Sequence, residues 1–135
     1  MNRDRYTGFY GYKNTNAIKA FAAEKGKVLQ TDFPATYYTT VAYEDSYASP
    51  INSSGWFLPS AGQCWYWFNN EGVLLSSMKK SSGNENYRWK SSYWSSSEDG
   101  GNPAGNAWYL NFGYSDVSYF NKLDSYFCVR ACLAF

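Results

Sequence analysis

The apolar positions of this chain change their spacing about two-thirds of the way along. In the earlier part they recur at helical intervals. Asn14-Thr15-Asn16 is a cluster of capping residues, and behind it Ala17, Ile18, Phe21 and Ala22 share one helical face, with Lys19, Glu24 and Lys25 on the other. Gly26 supplies a C-terminal cap, so the pattern predicts a first helix over about 16–25. Ser60-Ala61-Gly62-Gln63 fits the capping box S-x-x-Q, in which serine and glutamine satisfy each other's orphan backbone donors. Pro59 just upstream agrees with a helix start there. Cys64, Trp65, Trp67 and Phe68 load this second helix with core-forming bulk, and Asn69-Asn70 closes it. Val73, Leu74 and Met78 predict a third short helix, ended by the polar run Lys79 to Asn86. The stretches between are less periodic. Residues 5–13 read as a first strand, and Val28-Leu29 as a brief extended piece. Thr36 to Tyr43 is β-prone by propensity, a strand or a poorly alternating loop, and Glu44 to Ser54 reads as a loop.

From Tyr87 onward the period is two. Trp89, Tyr93 and Trp94 open a sheet. Trp108, Leu110 and Phe112 share one face of a strand whose other face carries Tyr109 and Asn111. Val129, Ala131, Leu133 and Phe135 share a face opposite Cys128, Arg130 and Cys132, which predicts a last strand paired inside the sheet, beside the first, and ending on a core residue. Helices early and strands late give an α+β domain: two to three short helices on a twisted, mostly antiparallel sheet, with the termini close together. A chain of 135 residues is most simply one domain spanning 1–135.

Between the apolar positions of the last third lies a second kind of text. From Gly113 to Phe127 every position except Val117, Lys122 and Leu123 is Tyr, Phe, Ser, Asp, Asn or Gly. Aromatics make up 21% of the whole chain, more than a domain of this size can hide. Tyrosine offers a stiff amphipathic contact surface at low entropic cost, and with Ser, Gly and Asn it is the composition of antibody binding loops. This filling reads as a binding surface over a β-scaffold.

The remaining chemistry is sparse. A net charge of +1 gives no nucleic-acid footprint, and no apolar run approaches the roughly 20 residues of a membrane span. The N-terminus shows no signal-peptide core. The chain has no histidine, which removes serine triads, Cys–His pairs and histidine-zinc centres in their usual forms. Glu98 with Asp116 or Asp124 could in principle form a hydrolase pair, and Glu98, Asp99 and Asn102 could offer oxygens to calcium, although the EF-hand spacing is absent and a solvated turn accounts for them better. On one strand Cys128 and Cys132 would stand about 13 Å apart, beyond the reach of a disulfide. A bridge from one of them to Cys64 stays open beside three reduced thiols.

The order NTNAI, GWFLPSAGQ, YWSSSE, AWYLNF, then NK followed by VRACLAF, resembles the variable proteins of diversity-generating retroelements, bacterial and phage proteins with a C-type-lectin-like fold. It also resembles a wider bacterial family of surface domains with WSS-E, AW-V-NF and VR-V motifs, related in fold to formylglycine-generating enzymes. The similarity covers most of the chain from Asn14. In such systems mutagenic reverse transcription replaces template adenines, chiefly in Asn codons, and the products include the residue types of the filling. The resemblance implies that Trp94, Trp108, Phe112, Val117, Val129 and Arg130 are fixed scaffold, within a variable region of about 93–135. It implies diversified, ligand-facing positions at Tyr109, Tyr114, Ser115, Asp116, Ser118, Tyr119, Phe120, Leu123, Asp124, Tyr126 and Phe127, with Gly100, Gly101, Asn102 and Asn106 as further candidates. The sugar-and-calcium motifs EPN and WND of animal C-type lectins are missing, and Cys128 and Cys132 do not have the spacing of the formylglycine-generating site. The expectation is therefore a binding protein and not an enzyme, without metal or cofactor, at a bacterial cell surface or on a phage particle. Its partner would be a protein or cell-surface ligand, with no nucleic acid and no membrane insertion. The alternatives are a fixed, undiversified adhesin domain of the same fold and, more remotely, a hydrolase.

Overall fold

The computed structural model describes residues 8–89, 92–114, 116–123 and 127–135. The chain is α+β. Among the described residues six helices, where two to three were expected, come first: α1 (Gly11–Glu24), α2 (Leu29–Asp32), α3 (Pro34–Thr39), α4 (Val41–Ser46), α5 (Ala61–Asn69) and α6 (Glu71–Ser82). Three strands follow, β1 (Ser92–Glu98), β2 (Asn106–Asn111) and β3 (Asp116–Asn121), forming an antiparallel sheet in the order β1-β2-β3.

The capping box forms as the residue pattern requires. Ser60 Oγ accepts from Gln63 N–H, and Gln63 Oε1 accepts from Ser60 N–H at 2.9 Å. The same two side chains also start α1, because Gln63 Oε1 accepts from Gly11 N–H at 3.1 Å and Ser60 Oγ from Tyr10 N–H at 3.3 Å. This tertiary cap moves the helix start to Gly11, five residues before the predicted one, so Asn14, Thr15 and Asn16 lie inside the helix and do not cap it. Gly11 has no room for a side chain: an added Cβ would stand 2.3 Å from Gln63 Oε1. The end is as expected, with Gly26 at φ +62° and Lys27 N–H closing on Ala22 O at 2.8 Å. The third predicted helix is longer at both ends, and Lys79 and Lys80 face its negative C-terminal dipole.

Four expectations fail. Residues 8–10 are irregular and 11–13 helical, so no first strand exists there; the rest of that stretch lies outside the described residues. Of the Val28-Leu29 piece only Val28 is extended, since Leu29 opens α2. Thr36 to Tyr43 is helical apart from the joining Thr40, in α3 and α4, and α4 also takes in Glu44 to Ser46 of the expected loop. Pro34 presets φ at the first turn of α3, and the threonines satisfy their hydroxyls within the helix: Thr39 Oγ1 donates to Ala35 O at 2.8 Å and Thr40 Oγ1 to Thr36 O at 2.7 Å. Finally, the C-terminal segment is no regular strand beside a first one. It pairs only locally, Cys128 with Tyr93 in parallel on the free edge of β1, and Cys132 with Phe57 in antiparallel sense. Phe135 is 87% exposed and not a core residue. The N-terminal end, needed to judge whether the termini adjoin, lies outside the described residues.

The core sits between α5 and one face of the sheet. Ala61 and Cys64 pack on Trp108, Leu110 and Val117, with Trp65, Trp67, Phe68 and Phe112 around them. The alternation of Trp108, Leu110 and Phe112 against Tyr109 and Asn111 holds, since Tyr93, Leu110 and Val117 stand opposite one another across the three strands. β1 bulges between Trp94 and Glu98. Ser95 Oγ answers a backbone group that the bulge strands by donating to Trp108 O, while Ser97 Oγ accepts from Ala61 N–H of α5 and Ser96 Oγ from Asn14 Nδ2 of α1. The run Ser95-Ser96-Ser97 thus joins sheet, α5 and α1.

Candidate binding surface

The sheet face turned away from α5 carries the cross-strand rows Ser92–Asn111–Asp116, Trp94–Tyr109–Ser118 and Glu98–Ala107–Phe120. Phe127, at the start of the C-terminal segment, lies over it. Its ring centroid is 4.4 Å from Tyr109, 4.7 Å from Trp94 and 5.7 Å from Phe120. Trp94 and Tyr109 meet edge-on at 6.0 Å. Four aromatic rings therefore form one cluster, graded from buried Trp94 to Phe120, which is 45% exposed.

Two turns flank this cluster and use the same device. Asn111 Oδ1 accepts from Gly113 and Tyr114 N–H, and Asn121 Oδ1 accepts from Leu123 N–H at 2.8 Å. Each turn presents an apolar side chain outward, Tyr114 at 86% exposure and Leu123 at 92%. Asp116 Oδ1 accepts from Val117 N–H, and Ser118 is half-buried. Asn106 and Tyr119 stand apart. Register puts Tyr119 beside Trp108 and Asn106 beside Asn121, on the α5 side of the sheet, where the Tyr119 ring meets Trp108 edge-on at 5.4 Å and is half-exposed. Ser115, Asp124 and Tyr126 lie outside the described residues. Trp94, expected only as scaffold, is the ring on which Phe127 and Tyr109 rest; its pairing with Tyr109 comes from the strand register, which the sequence does not show.

Glu98 and Asp116 do not assemble into a hydrolytic pair. Glu98 is held by Lys122, which also donates to Pro103 O at 2.6 Å. Glu98 lies opposite Ala107 and Asp116 opposite Asn111, four residues or about 14 Å apart along β2, beyond the roughly 5–9.5 Å of glycosidase pairs. Asp124 lies outside the described residues. The oxygens considered for calcium serve their own turn: Asp99 Oδ1 accepts from Gly101 N–H and Asn102 Oδ1 from Gly105 N–H. Among the described residues no three His, Cys, Asp or Glu side chains cluster as for a metal.

On the α5 side, Arg130 lies over the Trp89 ring at 5.2 Å and the Tyr93 ring at 5.9 Å, and donates to Tyr87 Oη. Burial opposes its charge, but the bonds to Tyr93 and Tyr87 outweigh this and hold the guanidinium above its ordinary pKa. The three cysteines are free thiols. Burial, and then the nearby Cys132, pushes the Cys64 thiol far up; burial pushes Cys132 up to about 12 against the pull of Arg130.

No family model matches the chain, and no curated protein is a significant match. Among solved structures it is similar to a fimbrial protein from Bacteroides ovatus, with a TM-score of 0.72 and 20% identity. The match covers 99% of this chain and 26% of that one, so the chain spans about a quarter of the length of that structure. At this identity the likeness shows a shared fold. No helix among the described residues is long and apolar enough to cross a membrane.

Proposed function

We propose that this chain is a ligand-binding protein of C-type-lectin-like fold, the variable protein of a diversity-generating retroelement, acting at a bacterial cell surface or on a phage particle and recognising a protein or cell-surface ligand. The observation that carries this reading is the continuous aromatic surface of Trp94, Tyr109, Phe120 and Phe127, flanked by outward-facing Tyr114 and Leu123. Three of the four rings and both flanking side chains fall at positions that the resemblance makes variable, whereas Leu110 and Val117, on the opposite face, are fully buried. Rings would supply contact area, and Ser118 and Asp116 would fix orientation through hydrogen bonds. The deciding experiment is to sequence the locus. A reverse transcriptase gene and an adenine-rich near-copy of the segment encoding residues 93–135 are expected beside this gene, and a locus holding neither removes the diversification reading.

A second reading is a fixed surface adhesin of the same fold, which the fimbrial neighbour favours. Closely related strains separate the two: changes concentrated at Tyr109, Tyr114, Phe120 and Leu123 support diversification, and identical residues there support the fixed adhesin.

A further inference from the structure

A second concave site lies away from the aromatic surface, where α1, α4 and residues 54–56 meet. Its volume is about 350 Å³, within the roughly 300–1,000 Å³ typical of small-molecule clefts. Tyr12, Asn16 and Lys19 line it from α1, Glu44 and Asp45 from α4, and Trp56 from the third wall. Among the described residues the side chains of Asn16, Lys19 and Asp45 make no hydrogen bond or ion pair, although Lys19 and Asp45 line the same cavity with opposite charge. Glu44 uses one oxygen on Ser49 and keeps the other.

Each wall is fixed independently of any ligand. Thr15 ties α1 to Leu58 through a reciprocal buried pair, donating to the carbonyl at 3.3 Å and accepting from the N–H at 3.0 Å. Ser54 is bonded to Ala134 through both backbone and hydroxyl. Trp56 is held by its indole N–H on Tyr47 O at 2.6 Å and by Tyr43 packed edge-on at 4.7 Å, which also anchors α4. Little ordering entropy would be lost on binding to such a site.

We infer that this cavity binds a neutral saccharide, at a site separate from the C-terminal surface. A pyranose has an apolar C–H face and a rim of hydroxyls that both donate and accept. The first suits the Tyr12 and Trp56 rings. The second suits a set that mixes pure acceptors (Glu44, Asp45), a pure donor (Lys19) and an amide that does both (Asn16). Two carboxylates against one ammonium leave the cavity net negative, which disfavours acidic sugars.

Saturation-transfer NMR tests this, with glucose, galactose, mannose, N-acetylglucosamine and glucuronate each at about 10 mM, above the roughly 1 mM Kd of a weak site. Irradiating the aromatic protons should mark the ring protons of at least one neutral sugar and leave glucuronate unmarked. The double variant N16A/D45A, which alters exposed residues without intramolecular partners, should weaken that sugar at least about 10-fold, the equivalent of two lost hydrogen bonds, while the melting temperature holds. Absence of transfer to every neutral sugar overturns the inference, as does equal transfer to glucuronate. Binding that survives N16A/D45A but is lost in Y114A/F120A overturns it too, since the sugar would then lie on the C-terminal surface; failure here leaves the proposed function of that surface intact.

Discussion

Truncating the aromatic surface one ring at a time should give a ladder of stability costs that follows burial. Phe127 is half-buried, with two ring neighbours within 5 Å. A fully buried Phe→Ala change costs about 3–5 kcal/mol. Half of that, ring contacts included, puts Phe127→Ala at about 2 kcal/mol. Phe120 is 45% exposed and its ring contacts lie at 5.7 and 6.5 Å, so Phe120→Ala should cost about 1 kcal/mol. Tyr114→Ala and Leu123→Ala remove side chains that stand almost wholly in solvent and should fall within about 0.5 kcal/mol of the parent. Urea unfolding followed by tryptophan fluorescence, extrapolated linearly to water, resolves these steps. If Tyr114→Ala cost as much as Phe127→Ala, the turn would be packed and no contact surface. If Phe127→Ala cost under about 0.5 kcal/mol, the four rings would not act as one cluster. The ladder would also limit the proposed diversification. A loss of about 2 kcal/mol is a large share of a typical 5–15 kcal/mol, so any variation at position 127 should keep to large apolar residues while positions 114 and 123 accept any.

Three further outcomes follow from particular contacts. Thr15→Val keeps the shape but strands both the N–H and the carbonyl of Leu58, each buried; a loss of about 2–4 kcal/mol is expected in chemical denaturation, and a near-neutral result would mean that α1 is held by its caps alone. Ser60→Ala removes the N-cap of α5 together with bonds to Tyr10 N–H and Gly8 O, for about 2 kcal/mol, the upper end for an N-cap; Ser60→Thr, which keeps the hydroxyl, should recover most of it. Cys64 and Cys132 have folded pKa values above the free thiol's 9.0, so the folded state keeps protons that the unfolded chain loses. Stability should therefore be unaffected below pH 9 and fall above it, by up to about 1.4 kcal/mol per pH unit per thiol. C64A/C132A should flatten that fall between pH 9 and 11, and an unchanged slope would refute the assignment.

How much could be read in advance depended on where each partner lies along the chain. The capping box at Ser60 and Gln63 and the glycine stop at Gly26 are local and were legible. The start of α1 was not, because its cap is made by Gln63 and Ser60, some 50 residues away. The helices between residues 34 and 46 were hidden for a different reason. Their buried positions, Thr36, Thr39 and Thr40, recur at helical spacing, but threonine counts as polar in a hydrophobic pattern and as β-prone in a propensity scale. Only the hydroxyl bonds to carbonyls three and four residues earlier make these residues fit a buried helical face.

The C-terminal segment shows a further limit, because there alternation named the right residues and misjudged which faces inward. Val129, Ala131, Leu133 and Phe135 looked like the core side, yet Arg130 lies on Trp89 and Tyr93, and burial raises the Cys132 thiol. A segment pairing with Tyr93 at one end and Phe57 at the other has its orientation set by those two anchors and not by its own pattern. The same arrangement would let a fixed frame and the proposed changeable surface share one short stretch. Backbone bonds of Cys128 to Ser92 and Trp94, and of Cys132 to Phe57, depend on no side chain. Phe127, one residue earlier, reaches over the sheet on a position that those bonds hold in place. Substitution at 127 therefore changes what the surface presents and how stable it is, while leaving intact the backbone pairing that positions it.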